Sequence, residues 1–150
     1  MLKGLDNRLN AEVLFALRAM GHGDTLVIAD TNFPADSIAR QTVLGELLRM
    51  DNLTAAQVAE AVLSVLPLDT FVDDFAGRMQ VVGAPSEIPQ VQAEVQAAVN
   101  AAEGRPRPMV GIERFDFYER AKGAYAVIQS GERRFYGCFI FRKGVIPPEA

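Results

Sequence analysis

Residues 25–29, Thr-Leu-Val-Ile-Ala, are apolar, partly β-branched and too few for a helix. Such a run reads as a buried strand. Gly21-His22-Gly23-Asp24 stands before it, and Asp30-Thr31-Asn32-Phe33-Pro34 closes it, with Pro34 forcing a break. Upstream, Val13, Leu14, Leu17 and Met20 recur at helical spacing between Asn10, a candidate N-cap, and Gly21, a candidate C′ residue. Together they predict a helix over 11–20 that turns directly into the buried strand.

The same alternation continues along the chain. Residues 42–50 are read as a second strand. Thr54-Ala55-Ala56-Gln57 has capping-box form and opens a helix carrying Val58, Val62, Leu63 and Leu66, which Pro67 ends. A strand is expected over 78–82. A helix follows Pro89, with Val91, Val95 and Val99 four apart and Gly104 closing it. Arg105-Pro106-Arg107-Pro108 reads as a stiff connector, and a strand and helix are expected within 110–122. The tail reads as a hairpin, 124–129 and 134–141, turning at Ser130-Gly131. Strands alternating with helices and ending in an antiparallel pair predict a layered α/β fold with a mixed sheet.

Size and charge narrow the function. The 150 residues fit one domain, 1–150, and 49% hydrophobic against 23% charged residues predicts a packed core. A net charge of −4 argues against nucleic-acid binding. The single cysteine, Cys138, leaves no internal disulfide, and no Cys/His cluster suggests a metal. The N-terminus lacks a signal-peptide core and no run is long enough to span a membrane, so a cytoplasmic protein is expected. Gly21 and Gly23 follow a helix and precede a strand, the reverse of a phosphate loop, and no GxSxG elbow occurs. Cys138 lies among aromatics with no cation beside it to favour a thiolate.

What remains is acid–base chemistry on a neutral polyol. His22 is the only histidine, and imidazole exchanges protons near neutral pH. Its flanking glycines allow a sharp turn and a close ligand approach. Asp30 and Asn32, at the end of the buried strand, are placed to hold hydroxyls. Asp24 and Asp69 are further proton carriers or acceptors, and Arg114, Tyr118 and Tyr136 could complete the set. Each has a plainer reading: a turn histidine at a strand start for His22, turn caps for Asp24 and Asp30, a solvated acidic loop for Asp69 with Asp73 and Asp74, core packing for Tyr118 and Met79. Glu132-Arg133-Arg134 reads as a solvated turn. Strand alternation turns Tyr136 and Cys138 one way, and Phe135, Gly137, Phe139 and Phe141 the other.

Several of these segments together resemble the sugar mutarotase family that contains L-fucose mutarotase and D-ribose pyranase. They are Met1-Leu2-Lys3-Gly4, Met20 to Asp24, Asp30 to Pro34, Leu68-Asp69, Arg114-Phe115, Phe117-Tyr118-Glu119-Arg120-Ala121, Ser130-Gly131-Glu132, Tyr136-Gly137 and Lys143-Gly144-Val145. Phe-Tyr-Glu-Arg-Ala resembles the fucose branch more than the ribose branch. The resemblance implies a three-layer α/β/α fold with a central, mostly parallel mixed sheet. It implies a homo-oligomer, a ring or decamer, with sites near subunit contacts, and anomer exchange on a monosaccharide without cofactor or metal, with pyranose–furanose exchange or sugar binding without turnover as the alternatives. His22 then matches an acid–base histidine and Asp69 a second acid–base group. Asp30, Arg114, Tyr118 and Tyr136 match sugar-contacting positions, and Met79 an apolar contact. Cys138 departs from the pattern, where asparagine is usual. A thiol is a weak donor and acceptor, so the exchange removes a contact worth ~0.5–1.5 kcal/mol.

Overall fold

The computed structural model describes residues 1–149. In chain order the elements are α1 (Ala11–Ala19), β1 (Thr25–Ala29), α2 (Ala35–Ala39), β2 (Leu48–Met50), α3 (Ala55–Leu63), β3 (Ala76–Met79), α4 (Gln90–Glu103), β4 (Val110–Ile112), α5 (Arg114–Lys122), β5 (Ala126–Ser130) and β6 (Phe139–Arg142). The strands form one sheet in the order β2-β5-β1-β6-β3-β4. Because β6 is antiparallel to both β1 and β3 while the other pairings are parallel, five strands share one direction.

Helices cover both faces, as expected of the three-layer fold. On one side Val13 and Leu17 of α1, Val58 and Val62 of α3, and Val91 and Val95 of α4 pack on Leu26, Ile28, Ile128, Phe139 and Phe141. On the other, Ile38 of α2 and Phe117 of α5 pack on Val27, Val127, Met79, Cys138 and Ile140. Phe117, Phe139 and Phe141 are fully buried, and each contributes about 1.5–3 kcal/mol of apolar transfer.

The local signals act as read. Asn10 accepts from the Val13 N–H at 2.9 Å and starts α1. Thr54 and Gln57 close a reciprocal capping box on α3. Gly104 takes a φ of +70°, the left-handed stop for α4. Other expectations are corrected. Only 48–50 of the predicted 42–50 strand pairs, the 78–82 strand runs instead over Ala76–Met79, and α2 follows Pro34 where only a break was expected. The predicted hairpin partners do run in opposite directions, but β1 lies between them and pairs with both. The apolar 25–29 run has ladder groups on both edges, and it fills the slot that a direct hairpin would have closed. No described helix is long and apolar enough to cross a membrane.

Candidate functional site

A cleft of about 320 Å³ opens at the carboxyl ends of the parallel strands, where α/β sheets usually bind ligands. It is lined by Asp30 and Asn32 after β1, Met79 at the end of β3, Arg114 and Tyr118 on α5, and Tyr136 and Cys138 before β6. All six expected substrate-binding positions therefore converge: Asp30, Met79, Arg114, Tyr118, Tyr136 and Cys138. Phe33, Val82 and Phe135 complete the wall and were not singled out from the sequence. They are apolar loop residues, which carry no chemical signal on their own.

Asp30 is both wall and clamp. One oxygen accepts from the N–H groups of Asn32 and Phe33, each at 3.0 Å, closing the turn after β1. The other accepts from the Gly137 N–H at 3.1 Å and ties down the loop before β6. The capping role and the site role coincide in one carboxylate. That loop places Tyr136 at φ +62°, the sole non-glycine residue in the left-handed region among those described. Buried Gln92 on α4 supports it, donating to the carbonyls of Met79 at 2.7 Å and Tyr136 at 3.0 Å. The twist at Tyr136 also explains why Phe135, expected opposite Tyr136, lines the same cleft.

The polar groups of the cleft are held by hydrogen bonds within the chain. Arg114 Nε donates to the Tyr118 phenol oxygen at 2.9 Å, and the Val82 N–H donates to that of Tyr136 at 3.2 Å. Each hydroxyl keeps its own proton to donate. Burial, and after it the nearby Asp30 carboxylate, push the Cys138 thiol well above its ordinary range, so it stays protonated.

His22 and Asp69 do not line this cleft. They meet each other, His22 Nε2 lying 3.2 Å from Asp69 Oδ2, beside the start of β1 and the end of β6. With β1 between them, the pair and the cleft are roughly 20 Å apart by strand rise. Asp69 is buried, not part of a solvated loop, whereas His22 is half exposed with exposed Phe71 against its ring. Burial alone would raise the Asp69 carboxyl. The Phe71 N–H, His22 and Arg142 outweigh it and hold the group below its ordinary range. Among the described residues no three His, Cys, Asp or Glu side chains gather as a metal would require.

Glu132 is also corrected: it is buried, not in a solvated turn. It takes three hydrogen bonds from Arg134 and one from the Ala55 N–H, holding the loop of Tyr136 to the start of α3.

Comparison with known proteins places this geometry. Residues 3–146 match the RbsD / FucU transport protein family. The chain belongs to that family. It is 45% identical to fucose mutarotase of Homo sapiens, covering 97% of this chain and 94% of the human one. The crystal structure of protein Atu2016 superposes with a TM-score of 0.96 at 63% identity, covering 98% and 97% of the two chains. The fucose mutarotase of Streptococcus pneumoniae, solved in complex with L-fucose, superposes with a TM-score of 0.86 at 32% identity, covering 97% and 100%. Within the RbsD / FucU family, then, this chain combines the shared fold with a polar cleft, a glycine-flanked histidine and a thiol at Cys138.

Proposed function

We propose that this protein is a cofactor-independent mutarotase that interconverts the anomers of a free monosaccharide, L-fucose or a close relative, by reversible ring opening. The observation that carries this reading is the convergence of Asp30, Arg114, Tyr118 and Tyr136 on one small cleft. Its 320 Å³ equals roughly ten waters of liquid volume, a space suited to a single sugar ring. Likeness to proteins named fucose mutarotase supports the choice of sugar.

The chemistry needs a base for the anomeric hydroxyl and an acid for the ring oxygen. Asp69, as an anion, can only accept, so in this reading His22 Nε2 donates to it and Nδ1 acts as the base. Asp69 then serves to orient the ring rather than to carry the second proton. In this reading Tyr118 gives a proton to the ring oxygen, and the Arg114 guanidinium that donates to its phenol oxygen stabilises the phenolate left behind. Rotation about C1–C2 in the open aldehyde and closure on the other face complete the exchange, the groups reversing roles.

The imidazole of one chain cannot reach the cleft of the same chain across the sheet. We therefore infer a homo-oligomer, a ring or decamer, in which His22 and Asp69 of one copy face the cleft of the next. Exposed Phe71 beside His22, and exposed Val82, Phe115 and Phe135 at the cleft end of the sheet, support such a contact. A cytoplasmic location fits a chain whose single cysteine, Cys138, stays a buried free thiol.

Saturation-transfer NMR on fucose, ribose, galactose and rhamnose tests the reading. Fucose exchange should be accelerated, and His22→Ala should slow it by ~10²–10⁴ while sugar still binds. No acceleration of any sugar would overturn it, and acceleration of ribose alone would favour pyranose–furanose exchange. Mixing His22→Ala with Arg114→Ala chains before reassembly should restore about one quarter of the sites, since each site draws on two copies. No recovery would place both halves in one chain.

A further inference from the structure

The His22–Asp69 pair has a third member. Asp69 Oδ2 accepts from His22 Nε2 and also from Arg142 Nε, at 3.2 and 3.1 Å, so imidazole and guanidinium share one oxygen. Oδ1 is occupied by the Phe71 N–H at 3.0 Å. The main chain is tied to the same arginine, the Asp69 N–H donating to the Arg142 carbonyl at 3.0 Å. Below, the Asp69 carbonyl accepts from Arg107 at 2.9 Å. Arg107 is buried, with its guanidinium carbon 3.6 Å from the Phe75 ring centroid and an ion pair to Glu103 at 3.0 Å. A Cβ at Gly144 would collide with the Leu68 carbonyl, so the strand extension lies directly under the Asp69 loop. The carboxylate cannot swing.

Arg142 also lies against the histidine turn. It pairs in register with Thr25, and its Nη2 would sit 3.5 Å from a Cβ at Gly23, which turns with φ +89°. Other charged groups around the turn are Asp24, whose carboxylate accepts from the Gly21 N–H, and Lys143, whose ammonium donates to the carbonyls of Leu17 and Met20. Arg18 stands on α1, and Asp73 and Asp74 follow Phe71. Among the described residues none of these pairs with the imidazole.

We propose that Arg142 is a positioning residue that holds Asp69 as a fixed anion and sets how readily His22 takes a proton. The proposal rests on the assignment of His22 as the acid–base group. A buried carboxylate facing an imidazole alone would favour the imidazolium, which cannot begin as a base. A guanidinium on the same oxygen offsets that pull and disfavours a second positive charge beside it. Asp69 fixes the tautomer and aim of the His22 ring.

Because His22 is the only histidine, its ring resonances report the titration without ambiguity. The experiment compares wild type with Arg142→Gln, Arg142→Met and Arg142→Lys by NMR titration of the intact protein, alongside the pH profile of fucose anomer exchange. In the Gln and Met variants the midpoint of the ring titration should move up by roughly one pH unit, and the acid limb of the exchange profile should move with it. Met keeps the aliphatic stem packed if Gln disturbs folding. Lys should return most of the shift. An unmoved midpoint in a folded variant, or exchange slowed equally at every pH, would overturn the proposal by leaving Arg142 a merely structural role. If His22→Ala still exchanges sugar, the acid–base assignment falls, while the ring titration still measures the effect of Arg142 independently.

Discussion

Replacing Asp30 by asparagine separates the clamp from its charge at nearly constant shape. The carboxylate serves three N–H groups from two directions: Asn32 and Phe33 on one oxygen, Gly137 on the other. Asparagine keeps a single carbonyl oxygen, so its NH₂ must face either the turn after β1 or the Gly137 N–H. At least one buried donor then loses its acceptor and meets another donor. Hydrogen bonds to a charged group contribute about 1.5–3 kcal/mol, and an unpaired buried group costs about 1–3 kcal/mol, so a loss of about 2–4 kcal/mol is expected. For a chain of this length that lowers Tm by roughly 5–15 °C.

The functional consequence follows from the same bond. Tyr136 occupies a left-handed conformation that costs roughly 1–3 kcal/mol and persists because its surroundings enforce it. Turning the NH₂ toward Gly137 loses one hydrogen bond where the other orientation loses two, so Gly137 is the donor released; the loop then relaxes and the phenol leaves the cleft. Sugar affinity should fall about 10- to 100-fold, as loss of one or two good polar contacts implies. The assay pairs urea unfolding with titration of L-fucose. Leu66→Ala is the control: it lies in the core on the opposite face and should cost about 2–5 kcal/mol without touching the cleft. The reasoning fails if Asp30→Asn costs under about 0.5 kcal/mol, a surface-level change, or weakens fucose no more than Leu66→Ala does.

Two further outcomes are expected. Arg134 hydrogen bonds, joined by backbone N–H groups, hold the Glu132 carboxyl at about 2 against an ordinary 4.5. Since the folded value is the lower one, its stabilisation is complete above the unfolded value and is lost as pH falls from about 5 through about 2. Glu132→Gln should remove about 2 kcal/mol at neutral pH, a figure reduced because Arg134 stands half in water, and should flatten the acid limb of the stability profile measured by urea melts. Cys138→Asn, which introduces an amide on the cleft wall, should tighten L-fucose binding; unchanged or weaker affinity in calorimetry would show that the thiol is no defect.

Much of the fold was legible because its signals are local. The capping box at Thr54, the N-cap at Asn10 and the left-handed Gly104 satisfy helix ends with residues a few positions away, so spacing alone reports them. Strand order was not legible. Serine and glycine at 130–131 look like a tight turn, but whether two strands pair directly or admit a third between them depends on β1, far upstream in the chain. The strand expected at 42–50 shrank for a similar reason: its only partner is β5, and pairing covers just Leu48, Arg49 and Met50.

The site divides along the same line. Asp30, Arg114, Tyr118 and Tyr136 were legible as a set only through the family resemblance; the structure brings them to one cleft because parallel strands deliver their carboxyl-end loops to one edge of the sheet. His22 and Asp30 are close in sequence, but the extended strand between them puts them at opposite ends of the sheet. A strand between two chemical groups separates them, whereas a tight turn would have brought them together. Arg142 and Gln92 escaped notice because their roles lie in what they contact: one shares an oxygen with an imidazole, the other holds a strained carbonyl, and neither stands beside its partner in sequence. If each half of the site is complete only against a second copy, the exposed aromatics at both ends belong to the same device as the His22–Asp69 pair and the cleft. Loss of Phe71 or Phe135 should then impair assembly, measured by sedimentation, and sugar exchange together.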